Sequence, residues 1–136
     1  AMLDIARKRA AEAGVTNITF HVATLEGFNA APGSYDMVMM HSLLHLLDDP
    51  AGAVAKAADL LKPGGWLVSS TTLIGEDGLN AVRLAILPAS ALGLLPKLGA
   101  LTGEALLDMH RAAGLEIDEH WKPGPKKAMF IAARKP

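Results

Sequence analysis

The stretch from Ser34 to Trp66 constrains the fold of this chain more than any other. It reads strand, exposed turn, helix, Pro-Gly-Gly, strand. Tyr35 to Met40 is nearly unbroken apolar after Asp36, the pattern of a central parallel strand buried on both faces. Asp49 offers an N-cap oxygen with Pro50 at N1 behind it. Val54, Ala58 and Leu61 recur at helical spacing and mark a buried stripe. Pro63-Gly64-Gly65 ends that helix, and Trp66 to Thr72 is a strand again. A strand, a crossover helix and a second strand make a βαβ unit, the building block of a mainly parallel α/β sheet.

The flanks extend the same pattern. Met2 to Ala13 reads as helix, with Leu3, Ala6, Ala10 and Ala13 on one side and Gly14 as a left-handed stop. Asn17 to Val22 alternates, with Ile18, Phe20 and Val22 facing one way, which predicts a strand near a sheet edge. Ala31 to Ser34 is a loop, and Gly75 to Gly78 is a turn. Leu79 to Leu101 is rich in Ala and Leu and broken by Pro88 and Pro96, which predicts two short helices. Thr102 caps a further helix with Leu106, Leu107, Met109 and Ala113 as its apolar positions and Gly114 as its stop. Leu115 to Trp121 and Lys127 to Ala133, joined across Lys122-Pro123-Gly124-Pro125, form a β-hairpin. Met37, Met39, Met40 and Met109 are expected in the core. The whole is one α/β domain over residues 1–136 with a terminal antiparallel hairpin.

Composition narrows the function. The 136 residues are 51% hydrophobic and 20% charged, which favours a packed core over disorder. The formal net charge of −1 provides no basic field for a nucleic acid backbone. Lys122, Lys126, Lys127, Arg134 and Lys135 read as solvated surface. With no cysteine there are no disulfides, thiolate nucleophiles or Cys-ligated zinc, and a cytoplasmic location fits. The apolar stretch 79–101 carries Arg83, Lys97 and two prolines, a poor membrane span. No membrane partner is expected.

Four segments resemble the class I S-adenosylmethionine-dependent methyltransferases of the small-molecule group. They are Ala1 to Ala6, Tyr35 to His45, Leu61 to Leu67, and Ala112 to Leu115 with the hairpin after it. They occur in the family's order and cover nearly the whole chain. The resemblance implies a Rossmann-like sheet lacking its first strand, glycine-rich loop and second strand, which would precede Ala1. It implies S-adenosylmethionine as cofactor and methyl transfer to an oxygen, nitrogen or carbon of a small-molecule acceptor. In such a sheet the absent first strand would lie between Asn17–Val22 and Tyr35–Met40. The gap would then close by direct pairing of those two segments or by exchange with a second copy, and a homodimer is expected on that ground.

The resemblance also carries site residues. Ala23, Thr24 and Leu25 follow the third strand, where the family contacts adenine; a polar turn at a strand end is the plain alternative. His41 ends the central strand, where α/β sheets bind ligands, and would border the cofactor. His45 lies four residues on and would share a face with His41 if the turn between them is helical. It is the candidate general base, against the reading of a packed, half-buried histidine. The pair makes no metal site, because His-x-x-x-His here lacks the Glu of a zinc motif and a third ligand. Residues 79–101 are a lid over an acceptor pocket, a dimer surface, or helices that cover the sheet. Two rival functions stand beside methyl transfer. One is a non-catalytic dimerising α/β domain that has lost the cofactor. The other is a nicotinamide-dependent oxidoreductase, disfavoured because no Gly-x-Gly-x-x-Gly is present. A Gly-x-Ser-x-Gly hydrolase elbow is missing too.

Overall fold

The computed structural model describes residues 2–73, 101–124 and 127–136. Helix α1 spans Met2–Glu12, β1 Tyr35–His41, α2 Pro50–Leu60, β2 Leu61–Thr71, α3 Gly103–Ala112, β3 Glu116–Trp121 and β4 Met129–Arg134. The four strands form one sheet in the order β1-β2-β4-β3. The first pair is parallel and the other two are antiparallel. This is an α/β architecture with the terminal hairpin that the sequence predicts, but among the described residues the sheet is mixed rather than mainly parallel.

Local chemistry accounts for the helix ends. The Asp49 side chain accepts from Gly52 N at 2.8 Å, and Pro50 opens α2. The Thr102 hydroxyl accepts from Ala105 N at 3.2 Å at the start of α3. Gly14 and Gly114 stop α1 and α3 with φ of +66° and +77°, a region costly for any residue with a Cβ.

Helices α2 and α3 pack on one face of the sheet. Val54, Leu67, Leu106, Ile131 and Ala133 are fully buried between them. The same layer holds a polar pair. Ser69 on β2 and His110 on α3 are both completely buried, with Oγ and Nε2 3.1 Å apart. The second ring nitrogen of His110 donates to the Leu106 carbonyl at 2.7 Å. A carbonyl only accepts, so the proton sits on Nδ1 and Nε2 receives the Ser69 hydroxyl.

Several expectations are corrected. Asn17–Val22 forms no strand, and it does not pair with β1. Ile18 and Val22 stand 51% and 87% exposed. Alternation describes side-chain faces, but a strand also needs a neighbour for its backbone groups. For the same reason β1 is an edge strand among the described residues, not a central one. Met40 is its one buried residue, and Met37 and Met39 are exposed rather than in the core. The register sets Met37 beside Trp66, Met39 beside Val68 and His41 beside Ser70 on the face away from the helices.

The Pro-Gly-Gly segment also differs. Helix α2 ends at Leu60, and Leu61 is already extended and paired with Tyr35. The next partners are Met37 and Trp66, so Lys62 to Gly65 form a bulge inside β2. Gly65 is required there, because a Cβ would lie 2.9 Å from the Lys62 carbonyl and 3.0 Å from the Asp36 carbonyl. The hairpin's last strand begins at Met129, not Lys127, and runs one residue further, to Arg134. Lys135 is no solvated surface residue. Its ammonium donates to the carbonyls of Ala58 and Leu61, each at 2.8 Å. The predicted turn at 75–78 and the helices of 79–101 lie outside the described residues except for Leu101, which is buried.

Candidate functional site

Strands β1 and β2 run parallel, so their carboxyl ends open on one edge of the sheet. His41 ends β1 there, its side chain exposed and its Nδ1 3.0 Å from Ser70 Oγ on β2. The next residue, Ser42, takes φ of +51°, uncommon for a residue with a side chain. Its amide donates to the Ser70 carbonyl at 2.8 Å, which holds the sharp exit in place. The chain then makes one 3-10 turn, Leu44–Leu46, with Leu44 fully buried as its anchor. His45 lies in that turn, half-buried. Burial pushes its imidazole below the usual histidine range. Its Nδ1 is buried and has no hydrogen-bond partner among the described residues. His41 is extended and His45 is in a 3-10 turn beyond a reversed residue, so the two do not share a helical face as their spacing suggested.

The segment after the failed strand is built differently. Residues 24–28 form a compact turn in which Phe28 N donates to the Thr24 carbonyl at 3.0 Å and Gly27 N to Thr24 Oγ1 at 3.1 Å. Leu25 packs against the core and Phe28 lies near Tyr35, ring centroids 6.5 Å apart. From α2, the Lys56 ammonium donates to the Leu25 carbonyl at 2.6 Å and the Glu26 carbonyl at 3.1 Å.

A cleft of about 550 Å³ lies between this turn and the exit of β1, lined by Ala23, Thr24, Leu25, Phe28, Leu43 and Leu47 together with His21 and Glu26. A second, apolar cavity of about 260 Å³ continues from Leu25 and Phe28 along Met37, Met39 and Leu43. The structure thus brings the predicted Ala23, Thr24 and Leu25 into one cleft with the residues just past His41. His41 and His45 are not among that cleft's lining residues. Among the described residues no group of three His, Asp or Glu side chains gathers as a metal site. Sequence reasoning missed Lys56, Phe28 and the Ser70 partner of His41. Phe28 could have been singled out as an aromatic beside a glycine turn. The Lys56 and Ser70 contacts span 31 and 29 residues and leave no local pattern.

A parallel strand pair with a cleft at its carboxyl end belongs to the α/β ligand-binding class. The chain belongs to the methyltransferase domain family, whose model matches residues 1–69. The ubiquinone biosynthesis O-methyltransferase of Thiobacillus denitrificans is 34% identical over 124 residues, 86% of this chain and 52% of that protein. Its counterpart from Paracidovorax citrulli is 36% identical over 97 residues, 70% of this chain and 40% of that protein. The chain therefore spans about half the length of these curated relatives. Among solved structures the cyclase SpnF superposes with a TM-score of 0.77 at 18% identity, covering 98% of this chain and 62% of that one, a likeness of fold alone.

The family implies S-adenosylmethionine as cofactor. The residues lining the cleft have the chemistry that an adenine would need. A flat heterocycle needs an apolar slot with a few fixed polar groups, and Leu25, Leu43, Leu47 and Phe28 supply the slot beside the backbone of a hydrogen-bonded turn.

Proposed function

We propose that this chain contributes the adenine side and the acceptor-facing exit of β1 to a methyltransferase acting on a small apolar molecule. The observation that carries this is the family match over residues 1–69, which contains the whole cleft. Ala23, Thr24 and Leu25 would hold the adenine, and His41, fixed by Ser70, would border the methyl-donating end. Bound there, S-adenosylmethionine supplies a methyl group made electrophilic by its sulfonium.

The chain's own part is to align an acceptor oxygen with that methyl and to take the proton the oxygen loses. An oxygen acceptor is favoured because the curated relatives are named O-methyltransferases. His45 is the candidate base. Its depressed pKa keeps the imidazole neutral near pH 7, and its buried Nδ1 has no partner among the described residues. Apolar cavity walls from Met37 to Leu43 suit an apolar acceptor. Among the described residues the outer edge of β1 has no strand beside it, which supports the expectation of a homodimer. No helix among the described residues is long and apolar enough to cross a membrane, and the cysteine-free chain fits a cytoplasmic setting.

Calorimetric titration with S-adenosylhomocysteine tests the reading. Saturable binding at micromolar Kd is expected. A folded chain that takes up no ligand at millimolar concentration would leave the non-catalytic α/β domain as the better description.

A further inference from the structure

The turn at residues 24–28 has no strand to hold it. Asn17–Val22 leaves the sheet unpaired, and the turn's internal bonds fix its shape but not its position. Two of its carbonyls, Leu25 and Glu26, lie at the end of the turn, where a helix leaves its last carbonyls: Leu25 O receives only a long, shared 3.3 Å bond from Phe28 N, and no backbone amide among the described residues reaches Glu26 O. Both point at one cation. Lys56 reaches from the middle of α2, half-buried along its stem, and places its ammonium 2.6 Å from the first oxygen and 3.1 Å from the second. No carboxylate lies within ion-pair distance of Lys56 among the described residues. Its charge is directed to the turn. Ionic donors to carbonyls make shorter and stronger bonds than neutral ones. Helix α2 is anchored in the core by Ala53, Val54, Ala57 and Ala58, so the clasp ties the turn to a rigid element.

We infer that Lys56 is a positioning residue for the adenine end of the cofactor, fixing the Ala23–Leu25 wall of the cleft against α2 without touching the ligand. The inference rests on the reading of Ala23, Thr24 and Leu25 as the adenine contact. Lys56 does not line the cleft itself; it lines a smaller pocket with Asp49, Gly52 and Ala53 that shares only Leu25 and Glu26 with the cleft. Loss of the ammonium would leave the fold's core intact and let the wall drift, so affinity for the adenine end falls while the sheet survives.

The test uses the full chain with Lys56→Met, Lys56→Gln and Lys56→Arg. It reads hydrogen exchange of the peptide covering 22–29, calorimetric Kd for S-adenosylhomocysteine and for adenosine alone, and the urea midpoint. In Lys56→Met we expect exchange in the peptide to rise about tenfold. Kd should weaken about tenfold for both ligands by the same factor, since the clasp acts on the part they share. Lys56→Arg, which can still donate to two carbonyls, restores both. If Lys56→Met fails to fold, Lys56→Gln, which keeps a donor but loses charge and reach, carries the same expectation. Wild-type binding with unchanged affinity in the folded neutral variant overturns the clasp alone. A wild-type chain that binds neither ligand overturns the adenine-site reading, and the ligand role of Lys56 with it, even if exchange still responds to the substitution.

Discussion

Ser69 and His110 show how one buried pair links sequence to pH. The histidine is neutral with its proton on Nδ1, because one nitrogen faces a carbonyl and the other a hydroxyl. Burial drives its pKa below the usual histidine range, with the Leu106 carbonyl opposing in part. In the unfolded chain the same group titrates near about 6.5. Above that pH it is neutral in both states and costs nothing. As pH falls below it, the unfolded state takes up a proton that the native state refuses, and stability drops by up to about 1.4 kcal/mol per pH unit. Urea unfolding at pH 7.5, 6 and 5 should show this slope and show it reduced in Ser69→Ala/His110→Leu. An identical slope in the double variant would assign it to other groups. Ser69→Ala alone leaves a buried nitrogen without its partner, at a cost of about 1–3 kcal/mol. The double substitution should cost less than the sum of its single changes. Neither residue stands out in the sequence. A serine in a strand and a histidine in a helix meet across 41 residues.

At the scale of elements, α2 is tied down at both ends by groups outside its own hydrogen-bonding ladder. Asp49 is local and legible, an N-cap one turn before an apolar stripe. Lys135 is not, since it acts on carbonyls 74 and 77 residues earlier. Its backbone also pairs with the bulge, Gly64 N to Lys135 O at 2.8 Å and Lys135 N to Gly65 O at 2.9 Å. The Pro-Gly-Gly turn, the end of α2 and the final residues of the chain thus form one joint. Lys135→Met keeps the stem and removes the cation from the negative end of the helix. It should lower stability by about 1–2 kcal/mol, read as a lower urea midpoint with the slope unchanged. No change would mean that water serves those carbonyls equally well.

For the whole molecule, the sheet is covered on one face and open on the other among the described residues. Met40 is 3% exposed and Met39, its neighbour, 59%. Met40→Ala should cost about 2–4 kcal/mol by emptying core volume. Met39→Lys should change the unfolding free energy of the isolated monomer by less than about 0.5 kcal/mol. The open face and edge also carry the homodimer proposal. If copies meet there, sedimentation velocity should show a wild-type dimer converted to monomer by Met37→Lys/Met39→Lys. A monomeric wild type would remove the proposal.

What the sequence determined by itself was whatever depends on near neighbours. The helices from Met2, Pro50 and Gly103, their caps at Asp49 and Thr102, the glycine stops and the terminal hairpin all follow from periodicity and capping chemistry within a few residues. The family followed from motifs in order, because such motifs are local. The tertiary structure decided the rest. Among the described residues Asn17–Val22 has a strand's alternation without a strand's partner, and β1 has a central strand's composition at an edge, because pairing is a property of two segments and not of one. It also decided which polar groups matter. Lys56, Ser70, His110 and Lys135 act over 29 to 77 residues of chain. A hydrogen bond depends on distance in space, which the order of residues does not record.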